Sequence, residues 1–229
     1  MTEFMIARHR VAIAGLVLDG VSGKPIPGAQ IEITVKPQAF ADKVALLEAS
    51  SRGQGPGPQS LDTAKTRSDG LFYFLDLPEG RYQVVGFMPK ETLYLNHPDP
   101  PGGDRKDFFQ RKADKRYGKD QFEATVSYAE RFSNFAVLRL QPTRITGRVV
   151  TSTNQAAVLM AEIRIRGCDE RTFSDAQGQF TITGIQPNAR KRTLQVRAKG
   201  YRDQLVEVLI DKPGACAEVK GIRLVRDGG

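Results

Sequence analysis

The sequence predicts an all-β protein made of two tandem β-sandwiches, the first carrying a short helical insertion. Three observations lead there. A hairpin unit at 66–84 runs from the turn Ser68-Asp69-Gly70 through an aromatic strand and the turn Leu77-Pro78-Glu79-Gly80 into Tyr82-Gln83-Val84, and it returns in weaker form at 172–187. Each copy is flanked by short apolar segments separated by turn residues, about seven per copy, which is the pattern of a sandwich. The 13 prolines and 22 glycines suit frequent turns better than long helices.

The elements follow in order. Residues 11–19 are apolar up to Asp19 and read as an opening strand. The breaker-rich stretch 20–28 is a tight turn. In 29–35, Ala29, Ile31, Ile33 and Val35 alternate with polar residues, which predicts a half-buried strand with those four facing inward. The pattern breaks over 37–65, where 39–49 holds helix formers with Phe40, Val44 and Leu47 at helical spacing before an irregular Gly/Pro loop. That segment is an insertion, helical in its first half. In 71–75, Leu71, Tyr73 and Leu75 alternate with Phe72 and Phe74, so both faces of this strand are expected to be covered. A second insertion, 89–121, is irregular. Strands at 122–128 and 134–140 complete a first domain of 1–142. The second domain, 143–229, repeats the scheme with strands at 145–150, 161–165, 180–182, 193–198, 201–210 and 220–225.

The order of motifs resembles a known family. Gly15-Leu16-Val17-Leu18-Asp19, then Gly-Lys-Pro-Ile-Pro-Gly-Ala at 23–29, then Ser-Asp-Gly-Leu-Phe-Tyr-Phe at 68–74 and Leu-Pro-Glu-Gly-Arg-Tyr at 77–82 resemble the carboxypeptidase regulatory-like domain. The resemblance is close over 11–35 and 66–87 and looser over 145–201, which ends in Ala198-Lys199-Gly200-Tyr201. It implies a transthyretin-like (immunoglobulin-like) seven-stranded sandwich in each domain. It also implies an accessory, non-catalytic module that docks onto other proteins, so no functional residue is carried over.

Most relatives are secreted or attached to outer-membrane proteins. Here Glu3 comes early, and Arg8, His9 and Arg10 stand where the apolar core of a secretory signal should run. Residues 11–18 are too few to span a bilayer. A cytoplasmic location is therefore expected. A leaderless array of such modules resembles the accessory β-domains of phage-tail-like contractile injection particles, an analogy at the level of fold.

The 229 residues carry a net charge of +8, which invites an anionic partner or simply a solvated basic surface. Cys168 and Cys216 make no disulfide framework; reduced thiols are expected, with one bridge in the second domain as the alternative. Catalytic chemistry finds few supports. The two histidines are His9, in a basic stretch, and His97, beside Asp99 and Asp104 in a Pro-rich loop whose residues are ordinary turn formers. Acidic neighbours at Asp169 and Glu170 disfavour a thiolate at Cys168. There is no phosphate loop and no nucleophile elbow. No enzyme activity, cofactor or metal site is expected.

The two insertions are the expected docking surfaces. Phe40 and Leu47 in the first, with Phe108, Phe109 and Tyr117 in the second, would be covered by a protein partner. Arg105, Lys106, Arg111, Lys112 and Arg116 would set its orientation. Basic residues interleaved with aromatics also permit nucleic acid, and a ligand- or carbohydrate-binding module is a further alternative. Open sheet edges offer a separate route, strand addition.

Overall fold

The computed structural model describes residues 9–51, 61–90, 113–129 and 134–228. The chain divides into two compact units. The first takes Met1–Asp114 and Lys119–Leu140, the second Lys115–Gly118 and Gln141–Gly229.

The first unit contains β1 (Val11–Asp19), β2 (Gln30–Val35), α1 (Gln38–Ser51), β3 (Thr63–Lys65), β4 (Leu71–Leu75), β5 (Gly80–Phe87), β6 (Asp120–Val126) and β7 (Asn134–Leu140). Its strands form a three-stranded sheet, β4-β1-β7, and a four-stranded sheet, β3-β2-β5-β6. β1 lies antiparallel to β4 and parallel to β7, so the first and last strands of the unit are neighbours. Inward residues of both sheets meet in one core: Ile13, Val17, Phe72, Phe74 and Leu138 from one side, Ile31, Ile33, Tyr82 and Val84 from the other, each at most 4% exposed. Burying each such side chain favours the fold by roughly 1.5–3 kcal/mol.

The second unit contains β8 (Arg144–Thr151), β9 (Glu162–Ile165), β10 (Arg171–Phe173), β11 (Gln179–Thr183), β12 (Asn188–Arg197), β13 (Gln204–Ile210) and β14 (Cys216–Leu224). Its sheets are β11-β8-β14 and β10-β9-β12-β13, with β14 parallel to β8. Strand for strand, this is the order of the first unit. Its core is centred on Ile145, Val149, Ile163, Ile165, Phe180, Ile185 and Leu194.

Two local devices recur and show why both sequences fold the same way. Gly15 in β1 pairs with Phe72, and a Cβ there would stand 2.5 Å from the Phe72 ring; Gly147 in β8 pairs with Phe180, whose ring would lie 2.7 Å from the same added atom. Glycine leaves room for the phenylalanine to lie across its own neighbouring strand. The turn glycines Gly70 and Gly178 sit at φ 77° and 76°, which disfavours any side chain.

Most expected strands are present, with instructive differences. Val35 was expected to face inward but is 52% exposed, because the pairing of β2 with β5 shifts register between Ile33 and Val35. Such a bulge turns the residue after it to the other face. β3 and β10 have three residues each, too few to display a period of two. The strand expected over 201–210 begins at Gln204, and Tyr201 makes an isolated bridge with Arg226 instead.

Candidate functional site

The strand Leu71–Leu75 is where expectation and structure part most usefully. Its inward residues Phe72 and Phe74 are 2% and 4% exposed, as a half-buried strand requires. Its outward residues are not covered by the rest of the described chain: Leu71 is 38%, Tyr73 48% and Leu75 40% exposed. Among the described residues, no second cover of the kind expected lies over them. Across the sheet, β7 presents Phe135 and Val137 on the same side, 61% and 45% exposed.

The register assembles these into a continuous surface. Ala14 of β1 pairs with Tyr73 on one side and Phe135 on the other; Leu16 pairs with Leu71 and Val137. Two three-residue rows therefore lie side by side, Tyr73–Ala14–Phe135 and Leu71–Leu16–Val137, without a charged side chain in either. With strands about 4.8 Å apart, the two aromatic residues stand roughly 10 Å apart with the small Ala14 between them. One row further, Leu18 pairs with the exposed Arg139.

The second unit supplies an internal control. At the same registers of β11-β8-β14 stand Thr181–Thr146–Glu218 and Gln179 beside Arg148, with Lys220 exposed on β14. The same sheet in the same topology is polar there. An apolar outer face is thus not demanded by the fold, and large uncovered apolar patches mark interaction sites.

At the opposite end of the face from Arg139, past Leu75, Asp76 holds the N-terminal segment. Asp76 adopts φ 53°. Its Oδ2 lies 2.5 Å from His9 Nδ1, its Oδ1 accepts the Arg10 N–H at 2.8 Å, and its own N–H donates to the Arg10 carbonyl at 2.9 Å. The His9 hydrogen bond, then that of the Arg10 backbone, holds the Asp76 carboxyl below its ordinary value. Arg10 continues to the Ser127 carbonyl at 2.7 Å and over the Tyr128 ring at 5.3 Å. Deeper in, Tyr82 donates to the Pro78 carbonyl at 2.7 Å, and burial, reinforced by Tyr128, pushes its hydroxyl up to about 12.

The residues expected to dock a partner fare differently. Phe40 is corrected: it is 2% exposed, its ring edge-on to Tyr82 at 6.0 Å, and so fills the core between α1 and β5. Leu47, about two turns further along α1, is 39% exposed. Arg116 and Tyr117 belong to the second unit, where the Arg116 carbonyl accepts the Thr143 N–H at 2.7 Å and Tyr117 bridges to Pro142. Leu47 and this pair are therefore not members of one unit. Arg105, Lys106, Phe108, Phe109, Arg111 and Lys112 lie outside the described residues, as do His97, Asp99 and Asp104.

Other chemistry-bearing groups are tied up locally. Cys168 and Cys216 are both free thiols, the first receiving Arg192 Nη1 at 3.3 Å, the second 3.6 Å from Thr146 Oγ1. Lys191 pairs with Glu207 at 3.0 Å. Among the described residues, no three His, Cys, Asp or Glu side chains are grouped as metal ligands, and no helix is long and apolar enough to cross a membrane.

Residues 145–218 match the CarboxypepD_reg-like domain. The match runs from the start of β8 into β14, so the matched segment draws on the strands of both sheets of the second sandwich; the first unit shares the strand order of that segment but lies outside the match. No curated protein matches the chain. Among solved structures, the chain is similar to the shaft pilin SpaA from Lactobacillus rhamnosus GG (12% identity over 95% of this chain and 97% of the pilin, TM-score 0.39). It is also similar to a chain of a type II cohesin–X-dockerin complex from Acetivibrio cellulolyticus (18% identity over 36% of this chain, TM-score 0.29). In that case the aligned part spans 56% of the other chain. A third is the Bacillus anthracis TIE protein (12% identity over 94% of this chain and 34% of that one, TM-score 0.32).

Proposed function

We propose that this is a non-catalytic structural or adaptor protein that docks onto other protein through the outer face of β4-β1-β7. One observation carries the reading: Leu71, Tyr73, Phe135 and Val137 are exposed and apolar, where the equivalent sheet of the second unit is threonine, glutamine, arginine and glutamate. Selection for solubility alone favours the polar version. Burying the apolar version against a partner recovers its hydrophobic free energy.

The finer reading, an accessory or cap component of a phage-tail-like contractile injection particle assembled in the cytoplasm, rests on the analogy of fold. Its test is co-sedimentation with a sheathed particle from native lysate. Recovery of the chain away from any such particle removes it.

The docking reading is tested by comparing proteins captured from native lysate by the wild type and by the variants Phe135→Glu and Val137→Glu. Loss of captured proteins, with Thr181→Glu in the second unit as an unaffected control, is the expected result. Identical capture by all four, with no change in self-association, overturns it.

Tyr73 and Phe135, flanking Ala14, favour one further reading, a carbohydrate platform. The leucines and valine that fill the neighbouring row offer no hydrogen-bond partner to sugar hydroxyls, which makes it the weaker of the two. A glycan array without hits dismisses it.

A further inference from the structure

We propose that the occupant of this face is a second copy of the same chain, stacked sheet on sheet about a two-fold axis with the two β1 strands antiparallel. The inference rests on the docking reading above and names its partner.

Area is the first argument. The uncovered parts of Leu71, Tyr73, Leu75, Phe135 and Val137, with Ala14 and Leu16 between them, amount to about 500 Å². Two copies together then bury about 1,000 Å², the size a specific, reversible interface has to clear. Self-complementarity is the second. A two-fold interface presents the same patch to itself, so a charged patch meets its own sign. The chain carries +8 overall, yet the two central rows of this face hold no charge. An acidic partner would be recognised by the basic surface elsewhere, not by these rows.

The ends of the face choose the direction of stacking. Exposed Arg139 lies at the Leu18 end of β1, and exposed Asp76 lies beyond Leu75, whose pairing partner Val11 opens the strand. Seven residues of strand place these ends roughly 23 Å apart. With the β1 strands antiparallel, Arg139 of each copy comes to the end of the interface that holds Asp76 of the other, two strands across. With them parallel, arginine would meet arginine. Packed sheets at about 10 Å separation also seat side chains of one face into gaps of the other, and the gap at Ala14, walled by Tyr73 and Phe135, is such a seat.

The test is sedimentation velocity of the full chain over a dilution series from near-millimolar to sub-micromolar concentration. A reversible two-copy species is expected. Phe135→Glu and Val137→Glu should each weaken it by about a hundredfold or more, as charges buried at an interface centre do. Arg139→Glu should weaken it by roughly tenfold through the end contacts. Thr181→Glu should leave it unchanged. The wild-type series needs no variant, and Tyr73→Gln, a mild change at an exposed site, stands in should a glutamate variant fold poorly. A wild type that stays single throughout overturns the inference, as does a dimer indifferent to Phe135→Glu and Tyr73→Gln. The two readings separate cleanly. A single-copy wild type whose lysate partners vanish with Phe135→Glu removes the second copy and keeps docking; unchanged partners remove both.

Discussion

Phe72 lies so closely across Gly15 that the smallest side chain at that glycine would stand 2.5 Å from the ring and 2.6 Å from the Ala136 carbonyl. The ring is held in the core and the carbonyl belongs to the β1–β7 ladder, so neither can retreat. Gly15→Ala should cost about 1–3 kcal/mol, in the range of overpacked cores, read as a lower denaturant midpoint. Gly147→Ala should act alike through Phe180. A Gly15→Ala variant as stable as the wild type contradicts the packing described.

Thr66 ties its turn through a buried hydroxyl, and Ser174 is its counterpart in the second unit. Thr66 Oγ1 accepts the Ala29 N–H at 2.8 Å and donates to the Ile26 carbonyl at 2.7 Å. Ser174 Oγ accepts the Ala161 N–H at 2.9 Å and donates to the Val158 carbonyl at 2.6 Å. Thr66→Val keeps the shape and strands both backbone groups, at a cost of about 1–3 kcal/mol. Thr66→Ser should be close to wild type. Equal unfolding midpoints for the valine and serine variants would sink this account.

Tyr82 sets an alkaline limit. Its hydroxyl is raised in the folded protein from 10.0 to about 12, so the unfolded chain ionises first. Its contribution is whole below pH 10 and is lost as pH rises through about 12. Tyr82→Phe should lose about 1 kcal/mol at neutral pH with the Pro78 hydrogen bond and flatten the alkaline slope. Parallel slopes for both proteins between pH 9 and 12 (roughly the titration window) would refute it.

Asp76 acts at the other extreme. Because its folded value lies below 3.8, its contribution is present above that pH and lost as pH falls through the lower folded value. Asp76→Asn, which tolerates φ 53°, should shrink the acid dependence of stability. Thermal melts across the acid range read this directly, and an unchanged acid limb counts against the His9–Asp76 latch.

The sandwich class was legible because turn chemistry and alternation agree at the same places, Ser68-Asp69-Gly70 and Asp175 to Gly178 among them. The outer face was not, for a physical reason. A strand apolar at every position, such as 71–75, satisfies two environments equally: burial on both sides, or burial on one and a partner on the other. The signal that separates them lay in the comparison of repeats, Leu71, Tyr73 and Leu75 against Gln179, Thr181 and Thr183 at the same inward phenylalanine spacing. Phe40 misled because a residue in an insertion was assumed to serve outside contacts, whereas its ring completes the core beside Tyr82. Val35 shows the limit of alternation, since one bulge reverses parity without any mark in composition.

The parallel pairing of β1 with β7, and of β8 with β14, has a mechanical meaning. Tension entering ahead of Val11 and leaving after Leu140 drags two adjacent strands lengthwise past each other. Every rung between Ile13–Asn134 and Asp19–Leu140 then bears the load together instead of opening one by one. Each sandwich should resist traction as a clamp and give way abruptly; a force–extension trace with gradual yielding would deny it.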